Sequence, residues 1–196
     1  MKKNGNILFC GVGGQGILLA SELTAEALLA QGHDVKKSEV HGMAQRGGSV
    51  EAHLRYGEKV YSPLIEPGGA DLLLAFEIME ALRYLPYLNK KSKVLVNTQR
   101  IMPPAVATGK TVYPENVLEE LTSRGIKVIP VDGFEIAQAA GNVKAANVAL
   151  VGALSKLLPV PEAAFLAAIE KRVPQRFLEV NLKVFKAGRQ ACKGKL

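Results

Sequence analysis

Cysteine is scarce in this chain. Cys10 and Cys192 lie near opposite ends of 196 residues, whereas an iron-sulfur cluster or a structural zinc needs about four thiolate or imidazole ligands gathered in space. The histidines, His33, His41 and His53, show no ligand-like spacing with each other or with the cysteines. No cluster and no metal is therefore expected on the chain itself. Cys10 ends an apolar run and reads as a small core residue. Tryptophan is absent, aromatics make up 6%, and basic and aromatic residues are not interleaved, so the formal charge of +7 does not read as a nucleic-acid surface. Much of that charge sits in one place: Lys183, Lys186, Arg189, Lys193 and Lys195 fall in a stretch with no carboxylate. It is read as a solvated basic tail, fraying from about residue 186. No apolar run approaches the roughly 18 residues of a membrane span. The basic start, Met1 to Asn6, leads into a brief apolar stretch without a small-residue cleavage site, so a cytoplasmic protein is expected.

Apolar residues at 48% and charged residues at 22% are the balance of a globular protein, and the length suits one domain over residues 1–196. Asn6 to Cys10 reads as a strand, and Ile17 to Leu28 carries apolar residues at helical spacing until Gly32. His33 to Glu39 is extended again, which predicts a parallel β-α-β unit with a right-handed crossover. Val50, Ala52 and Leu54 alternate with Ser49, Glu51 and His53. A turn at Tyr56 to Lys59 before Val60-Tyr61 then suggests a hairpin. Asp71 to Phe76, Lys93 to Asn97 and Ile126 to Val131 read as buried strands, and Glu77 to Leu85 and Glu115 to Arg124 as helices. Val143 to Leu158, Pro161 to Arg172 and Gln175 to Gln190 complete a C-terminal helical layer. The predicted class is α/β: a single Rossmann-like domain, its mostly parallel sheet covered by helices on both faces, with an inserted β-hairpin.

Two segments carry the chemistry. Gly11-Val12-Gly13-Gly14-Gln15-Gly16 has the glycine spacing of a dinucleotide fingerprint and stands between a strand and a helix. There, glycines let an anion approach free amides and the positive end of a helix dipole. A dinucleotide would also require an acidic ribose ligand about 20 residues on, for which Glu39 is the candidate. A tight turn for a subunit or cofactor-phosphate contact is the competing reading. The second segment, Glu39 to Val50, follows the second strand at the edge where open α/β sheets bind ligands. Arg46 could clamp a carboxylate or phosphate, with Gly47 and Gly48 admitting close backbone approach. His41 could transfer a proton or be a hydrogen-bonded structural residue. Asn147 stands out in an otherwise core-like helix. Asp71 and Glu77 could line the same cleft or serve as cap and surface carboxylates.

Together, the glycine turn and His41-Gly42-Met43-Ala44-Gln45-Arg46-Gly47-Gly48-Ser49-Val50 resemble the small subunit of indolepyruvate ferredoxin oxidoreductases. More broadly they are similar to the gamma subunit or domain of pyruvate and 2-oxoglutarate ferredoxin oxidoreductases. The later stretch from Gly141 to Leu150 extends the likeness over almost the whole chain. The resemblance implies a subunit of a heteromeric enzyme that oxidatively decarboxylates a 2-oxoacid to an acyl-coenzyme A, with the isolated chain inactive. It implies thiamine diphosphate, magnesium and iron-sulfur clusters on a larger partner, ferredoxin as an indirect partner, and room for a homodimer contact within a higher oligomer. The chain would own no cofactor and supply no catalytic residue. It would shape a cleft for substrate or coenzyme A with His41, Met43, Gln45, Arg46, Gly47, Gly48 and Ser49, beside Gly11, Gly13, Gly14, Gln15 and Gly16. A free-standing NAD(P) reductase and a non-catalytic scaffold are the rival readings.

Overall fold

Apolar residues in the strands alternate between two cores, and that alternation explains the layering. In a computed structural model, which describes residues 4–41 and 48–193 with the side chains of His41 and Pro104 set aside, the strands are β1 (Gly5–Val12), β2 (Asp34–His41), β3 (Ser49–Gly57), β4 (Leu72–Ala75), β5 (Lys93–Asn97) and β6 (Lys127–Val131). They form one sheet in the order β2-β3-β1-β4-β5-β6. The helices are α1 (Ile17–Leu29), α2 (Ile78–Arg83), α3 (Pro104–Ala107), α4 (Val117–Ser123), α5 (Gly133–Ala139), α6 (Ala146–Ser155), α7 (Glu162–Arg172) and α8 (Gln175–Ala191). Ile7, Phe9, Leu72, Leu74 and Leu95 point into a core shared with α1, α6, α7 and α8. Their neighbours Leu8, Cys10, Leu73, Val94 and Val96 point to the other side, against α2 and α4. Among the described residues no helix is long and apolar enough to cross a membrane.

The sheet is α/β with helices on both faces, as expected, and β1, β4, β5 and β6 run parallel. Two local expectations fail. The second strand does not pair with the first, because β3 is inserted between them, antiparallel to both. The hairpin is therefore β2 with β3, and no strand forms at Val60-Tyr61. Tyr56, expected in a turn, is paired with Gly5 on one side and Val35 on the other. Alternating burial marks a strand with one face covered, but it does not say which strands flank it.

The helical layer depends on close approach. A Cβ on Gly188 would come within 2.0 Å of the Ala149 carbonyl oxygen, and one on Gly152 within 2.1 Å of the Phe185 carbonyl oxygen. Thus α6 and α8 touch backbone to backbone, and nine of the ten residues of α6 are buried. Helix α8 continues to Ala191, with Val184, Phe185 and Cys192 fully buried. The segment expected to fray from about residue 186 is therefore tied down by packing as far as Cys192.

Candidate functional site

At the C-terminal ends of β1, β4 and β5 the chain leaves the sheet three times, and polar side chains bridge the exits. Gly16 takes φ +77° as α1 begins, and Gly14 takes φ +102°, a region open to glycine at little cost. Gln15 folds back into the turn. Its Oε1 accepts from the Val12 amide at 2.7 Å, and its Nε2 donates to the Phe76 carbonyl at 2.8 Å and to Gln99 Oε1 at 3.3 Å. Asn97, buried at the end of β5, donates to the same Phe76 carbonyl at 2.9 Å and accepts from the Gly133 amide at 3.0 Å. Gln15 and Asn97 thereby tie β1, β4, β5 and the start of α5 into one rim. A Cβ on Gly11 would meet Gln15 Oε1 and Phe76 Cβ at 2.7 Å, so this glycine makes room for the bridge.

The two sequence segments meet here. Val12 is in register with Ser49, and the Gly13 amide donates to the Gly48 carbonyl at 2.8 Å. The glycine turn therefore holds the root of the loop that carries the second segment. Met43, Gln45, Arg46 and Gly47 lie outside the described residues, and His41 is placed only as the last residue of β2. Ser49 is anchored from below: its hydroxyl donates to Glu80 Oε2 at 2.6 Å and lies 3.2 Å from the Tyr84 hydroxyl, while Glu80 Oε1 accepts from Arg83 at 3.0 Å. Burial pushes the Tyr84 phenol well up, so this hydroxyl stays protonated and able to donate.

Asn147 packs on the turn from the far side. A Cβ at Gly16 would lie 2.4 Å from Asn147 Nδ2, which donates to the Gly16 carbonyl at 3.4 Å. Between these groups lies a cleft of about 190 Å³, lined by Gly14, Gln15, Gln99, Phe134, Lys144 and Asn147. Glu77 is a cap rather than a cleft carboxylate. It is fully buried, its Oε2 accepting from the Met79 and Glu80 amides and its Oε1 from the Ile101 amide and the Tyr113 hydroxyl. Asp71 is at the other end of the sheet, before β4, where it accepts from the Asn6 amide at 3.0 Å. Glu39, the candidate ribose ligand, sits on the edge strand β2 with β3 between it and β1, and is paired with Lys37. A dinucleotide held at the turn would not have the acidic partner that its ribose requires.

Gln99, Asn97 and Glu80 were missed from sequence. Asn97 had a usable signal, as the polar residue closing an apolar strand at the ligand-binding edge. Glu80 had none, since a carboxylate in a short helix usually faces water.

The thiols do not suit a cluster. Cys10 is fully buried, with Sγ 3.7 Å from the Glu80 carbonyl, and burial first, then the Glu80 charge, hold its thiol well above the usual range. Cys192 is buried beyond the end of α8. Among the described residues no three His, Cys, Asp or Glu side chains are grouped to hold a metal ion.

A model of the pyruvate ferredoxin/flavodoxin oxidoreductase family matches residues 6–191. The chain is 45% identical over 195 residues to the indolepyruvate oxidoreductase subunit IorB of Archaeoglobus fulgidus, covering 97% of this chain and 96% of that one. It superimposes on the gamma subunit of a keto/oxoacid ferredoxin oxidoreductase from Geobacter sulfurreducens with a TM-score of 0.72 and 25% identity, over 95% of this chain and 97% of that one. The same fold recurs within a longer chain, the 2-oxoglutarate:ferredoxin oxidoreductase of Magnetococcus marinus, with a TM-score of 0.76 and 20% identity over 98% of this chain and 32% of that one.

Proposed function

The chain belongs to the pyruvate ferredoxin/flavodoxin oxidoreductase family, and from that premise we propose how the rim at the C-terminal ends of β1, β4 and β5 contributes to the reaction. It is the small subunit of an oxoacid ferredoxin oxidoreductase of the indolepyruvate type. The assembled enzyme takes an arylpyruvate-type 2-oxoacid and coenzyme A to an acyl-coenzyme A and carbon dioxide, with ferredoxin accepting two electrons. Thiamine diphosphate, magnesium and the iron-sulfur clusters belong to the larger cytoplasmic partner, and residues 1–196 form one domain docked on it. The two buried thiols of this chain do not fit a cluster.

The role of this chain is to shape the anionic approach to the reaction centre. Arg46 pairs with a carboxylate or phosphate of the incoming coenzyme A or substrate, and Gly47 and Gly48 let backbone amides come close. His41, Met43, Gln45 and Ser49 complete that loop. Gly11, Gly13, Gly14, Gln15 and Gly16 form the turn to which the root of that loop, Gly48, is bonded. The bond from the Gly13 amide to the Gly48 carbonyl carries this reading, because it fixes the end of the loop to the glycine turn. Holding such a loop in place lowers the entropy lost when substrate is positioned.

The test is Arg46→Ala in the reconstituted heteromer. The expected result is a KM for coenzyme A raised about tenfold, as for loss of one charge-assisted contact of about 1.4 kcal/mol, with assembly unchanged and the isolated chain inactive. Unchanged kinetics would make the chain a scaffold. Tight binding of a nicotinamide dinucleotide by the isolated chain would replace this reading with a reductase.

A further inference from the structure

The two edges of the sheet are not alike. Edge strand β6 carries Pro130, which has no amide hydrogen to offer a further strand. Edge strand β2 is eight residues long, has no proline, and none of its residues from Asp34 to Val40 is fully buried. Such an edge presents a row of main-chain donors and acceptors to a further strand. Among the described residues no further strand pairs on that side of it.

We propose that β2 pairs antiparallel with β2 of a second copy of this chain, about a two-fold axis through Ser38, joining two sheets into one. Symmetry and charge leave only this register. Residues directly opposite in an antiparallel pair point to the same sheet face, and a two-fold perpendicular to the sheet keeps each residue on its own face, so the axis must run through a residue paired with its own copy. An axis at Lys36 or Lys37 sets two lysines against each other, and one at Glu39 sets two carboxylates against each other, an unfavourable arrangement in each case. An axis at Val35 or Val40 overlaps only three residues. With the axis at Ser38, residues 35–41 of both copies overlap, and Lys37 of each faces Glu39 of the other, twice over.

The side chains are already poised on that face. Lys37 lies beside Glu39 of its own strand and 3.8 Å from Glu22 of α1, so the pairing extends an existing row of alternating charge. Lysines on an open edge otherwise discourage pairing. Here each lysine meets an acid instead, which gives the edge selectivity for its own copy. The consequence reaches the site: β2 leaves the sheet at His41 opposite Val35 of the second copy, so each copy borders the root of the other's loop. The inference stands on the strand alone and does not depend on the proposed reaction.

The experiment uses the full chain. Lys37→Glu and Glu39→Lys, each alone, set like charges opposite each other and weaken self-association about tenfold or more by sedimentation velocity. Mixed in equal amounts they restore both attractive pairs and form a heterodimer, visible by native mass spectrometry, which pairing within one chain cannot produce. Ser38→Cys forms a chain-to-chain disulfide under mild oxidation, both in the full chain and in the assembled enzyme. A monomeric wild-type chain, a mixture no tighter than its components, or a Ser38→Cys cross-link to a different subunit would each overturn the proposal.

Discussion

The two faces of the sheet are both buried, yet they are filled differently. On the side of α1, α6 and α8 the packing is backbone against backbone at Gly152 and Gly188, and the buried polar residues there are neutral. On the side of α2 and α4 the core contains two carboxylates, Glu77 and Glu80, together with His53. Buried charge is costly unless it is hydrogen-bonded, and Glu77 meets that requirement with three amides and a phenol. The contrast assigns different work to each face. The glycine-packed side supplies stability, while the carboxylate side holds the start of β3 through the bond from Ser49 to Glu80.

The largest break in that contrast comes from the glycine contact. Gly188→Ala must push α6 and α8 apart, and overpacking of that kind costs about 3 kcal/mol. Calorimetry should show the melting temperature falling by roughly 6 to 12 °C; an unshifted melt would mean that the helices are free to slide. The carboxylate side responds less in stability and more in function. Glu77→Gln replaces one acceptor oxygen by a donor that faces other donors, a loss of about 2 kcal/mol in urea unfolding. In the assembled enzyme the same variant should also raise the KM for coenzyme A, because Glu77 caps the helix whose Glu80 holds Ser49; an unchanged KM would confine its role to stability.

The smallest expected effect sharpens the comparison at alkaline pH. Tyr56 is packed edge-on against His33 at 5.2 Å. Burial, aided by the Asp71 charge, pushes its phenol from about 10 up to about 12. A pKa raised by folding contributes stability that is fully present below the unfolded value. That contribution is lost as pH rises from about 10 through about 12, because the unfolded chain releases its proton first. Tyr56→Phe should flatten this limb of a stability-versus-pH curve, and a slope equal to that of wild type would exclude Tyr56 as its source.

Much of the architecture was legible from local pattern. The apolar runs at β1, β4, β5 and β6 and the glycine stop after α4 appeared where expected. The helix expected to end before Pro86 does stop at Arg83, but the chain continues through Leu85–Tyr87 as a single 3-10 turn, whose first positions tolerate proline. The short helix α5 went unread, although Asp132 caps it by accepting from the Glu135 amide at 2.8 Å. Seven residues are too few for a periodic signal to rise above the surrounding loop.

Sequence alone determined the period-two burial that sends Ile7 and Leu8 to opposite cores, the tight turn at Gly11 to Gly16, and the scarcity of thiols. Each depends on a residue's own side chain or backbone freedom, so each is written locally. Only the tertiary structure decided that β3 separates β2 from β1, that Gly13 holds Gly48, and that Asn147 seals the turn from 131 residues away. Strand partners and buried acceptors are chosen by the packing of the whole chain. That choice left Glu39 on a sheet edge, paired with Lys37, instead of in the cleft.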